Sequence, residues 1–401
     1  MERSRKLLVI GMVVAIAIVF ALSGFATAAQ KVFKVGAAEA FSGPLAFVGA
    51  GFRNGTQIAA DFFNEKGGLN IGGEKYRIEI IDADSKYTAE GGQTAARRLV
   101  DAEKVNVVLG AISGPDTLGV LSVTDPAKII TVHTAAISET LKGKPYSYRC
   151  WISYYEMYPG IFSWISKNRP KIKRIALLDI DDESGHYGHD LVTKQASKHG
   201  MEVVYDDYYP ANTKDMSPFL LKALAKKPDM FFNTASSGAY WALLIKQARD
   251  LGFEGLFAEV HPPTPKQTGE IAGMNNVQGM VGFGYATEGD LAPAGIKMFK
   301  ERYIKKYGEW HEHSLVTGIP MAAVFMAVEK AGSTDSDKIK AMLDNGQKWE
   351  TPFGITGSWG GEATYGRPCQ WFAPQYVLEI QGEKVVPIGV IPMESMLHGW
   401  D

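Results

Sequence analysis

Cysteine is scarce in this sequence: among 401 residues, only Cys150 and Cys369 carry a thiol. Their separation matches no zinc-ligand or thioredoxin spacing. In an oxidising compartment the pair could form one disulfide, and burial as two separate thiols is the equal alternative. An excess of charge of one sign is also lacking, since 42 Lys and Arg stand against 44 Asp and Glu. That balance excludes the basic footprint of a nucleic-acid binder. The sequence contains no G-x-x-x-x-G-K-[ST] phosphate loop, no G-x-G-x-x-G dinucleotide turn and no G-x-S-x-G nucleophile elbow, which leaves nucleotide-dependent and serine-hydrolase chemistry without a motif. No low-complexity linker divides the chain into separate beads.

Long hydrophobic runs are few, and the first is at the very start. Glu2-Arg3-Ser4-Arg5-Lys6 is followed by an uncharged apolar run from Leu7 to Leu22 and by the small-residue site Ala26-Thr27-Ala28. That order predicts a secretory signal peptide over residues 1–28, removed on export to the periplasm. An uncleaved anchor, which needs about 20 apolar residues, is the alternative. No Cys follows the run, so no lipid anchor is expected there. Cleavage leaves 373 residues with 39 basic and 43 acidic side chains, a net charge of −4. This is enough chain for two domains of ordinary size. No second stretch reads as long enough to span a bilayer, and the mature chain is expected to be soluble.

The rest of the chain alternates. Val32–Gly36, Tyr76–Ile80, Val105–Leu109, Lys128–Val132, Arg174–Asp179, Glu202–Tyr208, Asp229–Asn233 and Val277–Phe283 read as strands. Helical patterns lie between them, at Thr88–Asp101, Thr117–Pro126, Tyr158–Asn168, Gly188–His199, Ser217–Lys226 and Ala239–Leu251. Strands separated by helices of this length predict crossover units on parallel, doubly wound sheets. After Asp290 three helical stretches precede a short β-rich tail, which ends in a hairpin around Gly382-Glu383.

The order and spacing of several short motifs resemble the periplasmic Leu/Ile/Val-binding protein family, the type I periplasmic binding proteins. The motifs are Ser42-Gly43-Pro44-Leu45-Ala46, Arg53-Asn54-Gly55, Lys66-Gly67-Gly68-Leu69, Asp82-Ala83-Asp84, Val107-Val108-Leu109-Gly110, Tyr187-Gly188, Gln247-Ala248-Arg249 and Val328–Gly332. The resemblance runs through essentially the whole mature chain. It implies an α/β protein of two Rossmann-like lobes with mainly parallel doubly wound sheets, joined by three hinge crossings. We place the crossings near Arg149–Ser153, Phe283–Glu288 and Trp359–Arg367. The amino-terminal lobe would then comprise residues 32–148 and 287–357, and the carboxy-terminal lobe 150–283 and 364–401.

In this family the solute lies between the lobes, beyond the carboxyl ends of the strands, where helix N-termini favour an anion. Ser113, in the turn Ala111–Pro115, matches the family's cleft serine, with Gly114 the alternative position. Capping the following helix is the plain structural role for the same hydroxyl. In His133-Thr134-Ala135-Ala136, Ala136 stands where amino-acid binders keep a threonine for the ligand ammonium. Thr134 is expected to supply a hydroxyl from two residues earlier, with Ala135 in the same turn. Tyr187 matches the cleft tyrosine. Glu259 falls near the acidic residue that meets the ammonium, although its neighbours Ala258 and Val260-His261-Pro262 depart from the family. Phe47, Tyr154 and Ser237 complete the expected ligand set. They belong to an aromatic-rich surround with Phe41, Trp151, Tyr155, Tyr158 and Tyr240, more than half of which should be core.

An enzyme is the rival class. Asp181-Asp182-Glu183-Ser184-Gly185-His186-Tyr187-Gly188-His189 is dense in metal-ligand types, but His186 and His189 do not form H-E-x-x-H. His311-Glu312-His313 reads as an exposed run before a helix. No catalytic residue, metal or cofactor is therefore expected. The resemblance implies the solute-binding component of an ABC importer, a monomer that serves a membrane permease. It would capture a small hydrophobic amino acid or related carboxylate by hinge closure. Ala136 and the aromatic crossing pull toward aromatic carboxylates, and Glu259 toward amino acids. A ligand sensor for a membrane receptor is the remaining alternative.

Overall fold

The computed structural model describes residues 30–43, 45–234, 236 and 238–397. The leader at 1–28 and Ser237 lie outside them. The chain begins with β1 (Lys31–Glu39), α1 (Ala46–Glu65), β2 (Leu69–Ile71), β3 (Glu74–Asp84), α2 (Ala89–Arg97), β4 (Val107–Leu109), α3 (Gly114–Thr124), β5 (Ile130–His133) and β6 (Ser147–Arg149). It continues with α4 (Tyr154–Asn168), β7 (Arg174–Ile180), α5 (Glu183–Lys198), β8 (Glu202–Tyr209), α6 (Ser217–Ala225), β9 (Met230–Asn233), α7 (Gly238–Asp250), β10 (Leu256–Glu259), α8 (Pro265–Ala272) and β11 (Val281–Gly284). The last part contains α9 (Ala294–Tyr307), α10 (Ser314–Ala331), α11 (Ser336–Leu343), β12 (Lys348–Glu350), β13 (Thr356–Gly360), α12 (Glu362–Tyr365), β14 (Gln370–Phe372), β15 (Gln375–Gln381), β16 (Lys384–Ile391) and α13 (Met393–Leu397).

These strands build two sheets, ordered β12-β13-β14-β6-β5-β4-β1-β3-β2 and β16-β15-β11-β10-β9-β7-β8. The centre of each is parallel, with antiparallel strands only toward the edges. The central strands are apolar on both faces because helices cover both. Phe33, Val35 and Val107 face one cluster with α1 and α10, while Ala38 and Val108 face a second with α2 and α3. The second sheet is wrapped in the same way. Each fully buried Val, Leu or Phe contributes about 1.5–3 kcal/mol, so these faces account for the doubly wound form. Among the described residues α10 passes for a membrane span by length and composition, contrary to the sequence reading. Its apolarity is explained by packing, because 72% of it is buried inside the first lobe. There α1 crosses it closely at Gly55, where a Cβ would lie 1.9 Å from the Ser314 carbonyl oxygen.

The chain changes sheets between β6 and α4, between β11 and α9, and at Ala373-Pro374 between β14 and β15. The last change lies beyond the expected Trp359–Arg367, because β13 and β14 still belong to the first sheet. The sequence reading also missed β6, β10 and α8, and placed the strand before the second change at Val277–Phe283 instead of β11. Cys150 and Cys369 are two separate buried thiols.

Candidate solute site

Residues just past the carboxyl ends of β6, β10 and β11, among them Trp151, Val260 and Tyr285, line one cavity. It has a volume of about 860 Å³ and lies between the lobes. Its walls include Phe47 and Glu312 from the first lobe, Trp151 and Tyr285 from the crossings, and His261 and Gln267 from the second. Phe47 is 61% exposed and stacks on His311 at 4.0 Å. It is the one expected ligand residue, among those described, that lines this cavity. The others stand at the two sheet edges.

On the first edge the turns after β4 and β5 are bound to one another. Thr134 donates both its N–H and its hydroxyl to the Ala111 carbonyl, each at 3.2 Å. That hydroxyl, expected to serve the solute, is buried and directed at the neighbouring turn. Ser113 starts α3 and donates its N–H at 2.8 Å and its hydroxyl at 2.6 Å to the same Asp116 oxygen. Ser113 is the N-cap residue of α3, and Asp116 at the third helical position forms a capping box with it and holds both of its donors. Ala135 is fully buried. Ala136 is exposed, and its carbonyl accepts from Arg149 Nη1 at 2.6 Å.

On the second edge the polar groups are more open. Tyr187, in the second turn of α5, is 47% exposed, and its hydroxyl has no hydrogen-bond partner among the described residues. Its phenol pKa is raised, by burial first and then by Glu156, with Arg149 opposing and Glu139 of the first lobe also contributing. Glu259 ends β10 and is 7% exposed. Burial pushes its pKa up to about 8, against a hydrogen bond from Asn233. Tyr154 begins α4 beside the first crossing, its hydroxyl 3.3 Å from His261 Nε2. The loop that follows β9 is held by Asp179, which accepts from Thr234 and Ser236 through both backbone and hydroxyl groups. His189 binds Asp179 at 3.0 Å and Asp206 at 2.6 Å. Burial opposes the charged imidazole, but the two carboxylates prevail and raise its pKa. His186 is paired with Asp181. His189 thus braces Asp179 and, through it, the loop that follows β9.

Two features escaped the sequence reading. Arg149, fully buried at the end of β6, bonds Glu156 of α4 at 3.2 Å and also Gln370 and Tyr365, so it ties the first sheet to the start of the second lobe. Glu39 ends β1 with 0% exposure, and among the described residues neither carboxylate oxygen has a hydrogen-bond partner. Burial, and then Asp116, raise its pKa well above the ordinary carboxylate range. The one available signal was a charged residue closing the otherwise apolar run Gly36-Ala37-Ala38-Glu39.

A sequence model of the periplasmic binding protein family matches residues 32–373. A Leu/Ile/Val-binding protein homologue of Brucella abortus is 27% identical over 331 residues, covering 78% of this chain and 80% of that one. The structure of a leucine-binding protein from Thermotoga maritima superposes with a TM-score of 0.70 at 21% identity, covering 90% of this chain and 99% of that one. A solute-binding protein of an ABC transporter from Rhodopseudomonas palustris, in complex with 3,4-dihydroxybenzoic acid, does so with a TM-score of 0.70 at 23% identity, covering 90% and 98%. The chain belongs to the periplasmic binding protein family.

Proposed function

We propose that this periplasmic binding protein captures a small hydrophobic amino acid between its lobes and presents it to a membrane permease. The leader at 1–28 would direct export, and hinge closure about the three crossings would bury the solute. No step of this requires covalent chemistry. Glu259 carries the reading: a carboxyl group buried at the carboxyl end of a strand, bonded among the described residues to Asn233, calls for a positive or hydrogen-donating partner. Aromatic carboxylates are the second reading. It is favoured by Ala136, which has no hydroxyl for an ammonium, and by the turning of the Thr134 hydroxyl toward Ala111.

Titration calorimetry with leucine and with benzoate across pH 6–9 separates the two. An ammonium group binds the ionised Glu259, so leucine affinity should rise with pH until about 8 and then level off. A solute carboxylate binds the protonated acid, so benzoate affinity should fall above about 8. Binding of neither class would overturn the proposal.

A further inference from the structure

Of the run His311-Glu312-His313, expected to be exposed, His311 is instead buried, while Glu312 and His313 are half-buried. His311 is only 5% exposed. It lies against α1 at Gly51, where a Cβ would come within 2.5 Å of the imidazole, so the ring uses space that only glycine leaves. Its Nε2 is 3.0 Å from the Phe47 carbonyl. A carbonyl can only accept, so Nε2 carries the proton and Nδ1 presents the lone pair. This is the arrangement in which an outer carbonyl orients a metal-binding histidine. The other contact at Nδ1 is a long bond from the His313 N–H at 3.3 Å. His313 Nδ1 is buried with no hydrogen-bond partner among the described residues, 3.6 Å from a Glu312 oxygen. Phe52 and Trp151 meet the His313 ring edge-on at 5.8 and 5.7 Å and hold its orientation.

One ligand atom from each of the three side chains lies within 4.8 Å of the other two. Two imidazole nitrogens and a carboxylate suit Zn²⁺ and its neighbours, and three protein ligands leave at least one position open. We propose that His311, Glu312 and His313 form a transition-metal site of the Zn²⁺ class in the first-lobe wall of the cleft. Because Glu312 also lines the cavity, the open position faces it and takes water or an oxygen of a bound solute.

Calorimetric titration of the chelator-treated, tag-free protein with Zn²⁺ alone tests this. One equivalent should bind, and Co²⁺ in its place should give the visible absorption of a low-coordinate N/O site. Glu312→Gln and His313→Ala remove ligands, so each should weaken Zn²⁺ binding by more than the roughly 10–100-fold that loss of an orienting partner costs. His186→Ala, whose ring is committed to Asp181, should bind like the parent. If His313→Ala fails to fold, the near-isosteric Glu312→Gln decides. No Zn²⁺ uptake by the parent, or equal uptake by parent and Glu312→Gln, would overturn the site.

Discussion

The two sheet edges that face the cleft treat their polar groups differently. On the first, Ser113 is bound to Asp116, Thr134 to Ala111, and the Ala136 carbonyl to Arg149. Each of these groups is engaged before a solute arrives. On the second, among the described residues, the Tyr187 hydroxyl has no hydrogen-bond partner and Glu259 is a buried acid bonded to Asn233, while Asp179 fixes the loop beside them. The first edge is thus a preformed wall, and the second carries the unfilled hydrogen-bonding capacity. Substitutions on the first should cost stability, and those on the second should cost affinity.

The largest expected effect belongs to the first edge. Arg149→Met leaves Glu156 buried without its cation, and breaking such a pair costs about 3–5 kcal/mol. Chemical denaturation should show that loss, and an unchanged midpoint would mean the network ties nothing. Glu259→Gln comes next. Replacing a charged hydrogen bond with a neutral one should weaken leucine binding by about 2 kcal/mol, roughly thirtyfold in Kd, with little change in melting. Tyr187→Ala should cost about tenfold in affinity, and unchanged binding would remove it from the site. Ser113→Ala should lower stability by about 1 kcal/mol through loss of the cap and leave affinity nearly untouched. A large affinity loss there would reverse the comparison between the edges.

The sequence made the long apolar strands legible because helices on both sides demand continuous hydrophobic runs. It failed where buried strands carry polar residues. β6 holds Ser147 and Arg149, and β14 holds Gln370, and such polar residues give no apolar run to mark a strand. In the structure Arg149 and Gln370 sit opposite each other in register and bond to one another. The same pair explains why the last change of sheet was placed too early. At the site, spacing and resemblance found the right turns but could not give hydroxyl directions, which depend on the turn next door. His311 looked exposed because nothing local reveals that Gly51 leaves room for its ring.

The two-residue passage at Ala373-Pro374 has a mechanical consequence. It is the shortest of the three connections, its proline fixes one backbone angle, and Gln375 donates to both of its carbonyls at 3.3 Å. So stiff a strap cannot stretch, and any swing of the lobes must turn about it. Parts of the cleft near the strap will travel least and parts far from it most, as at the free end of a lever. The protein would then read its solute largely by how far the distant rim can fold in.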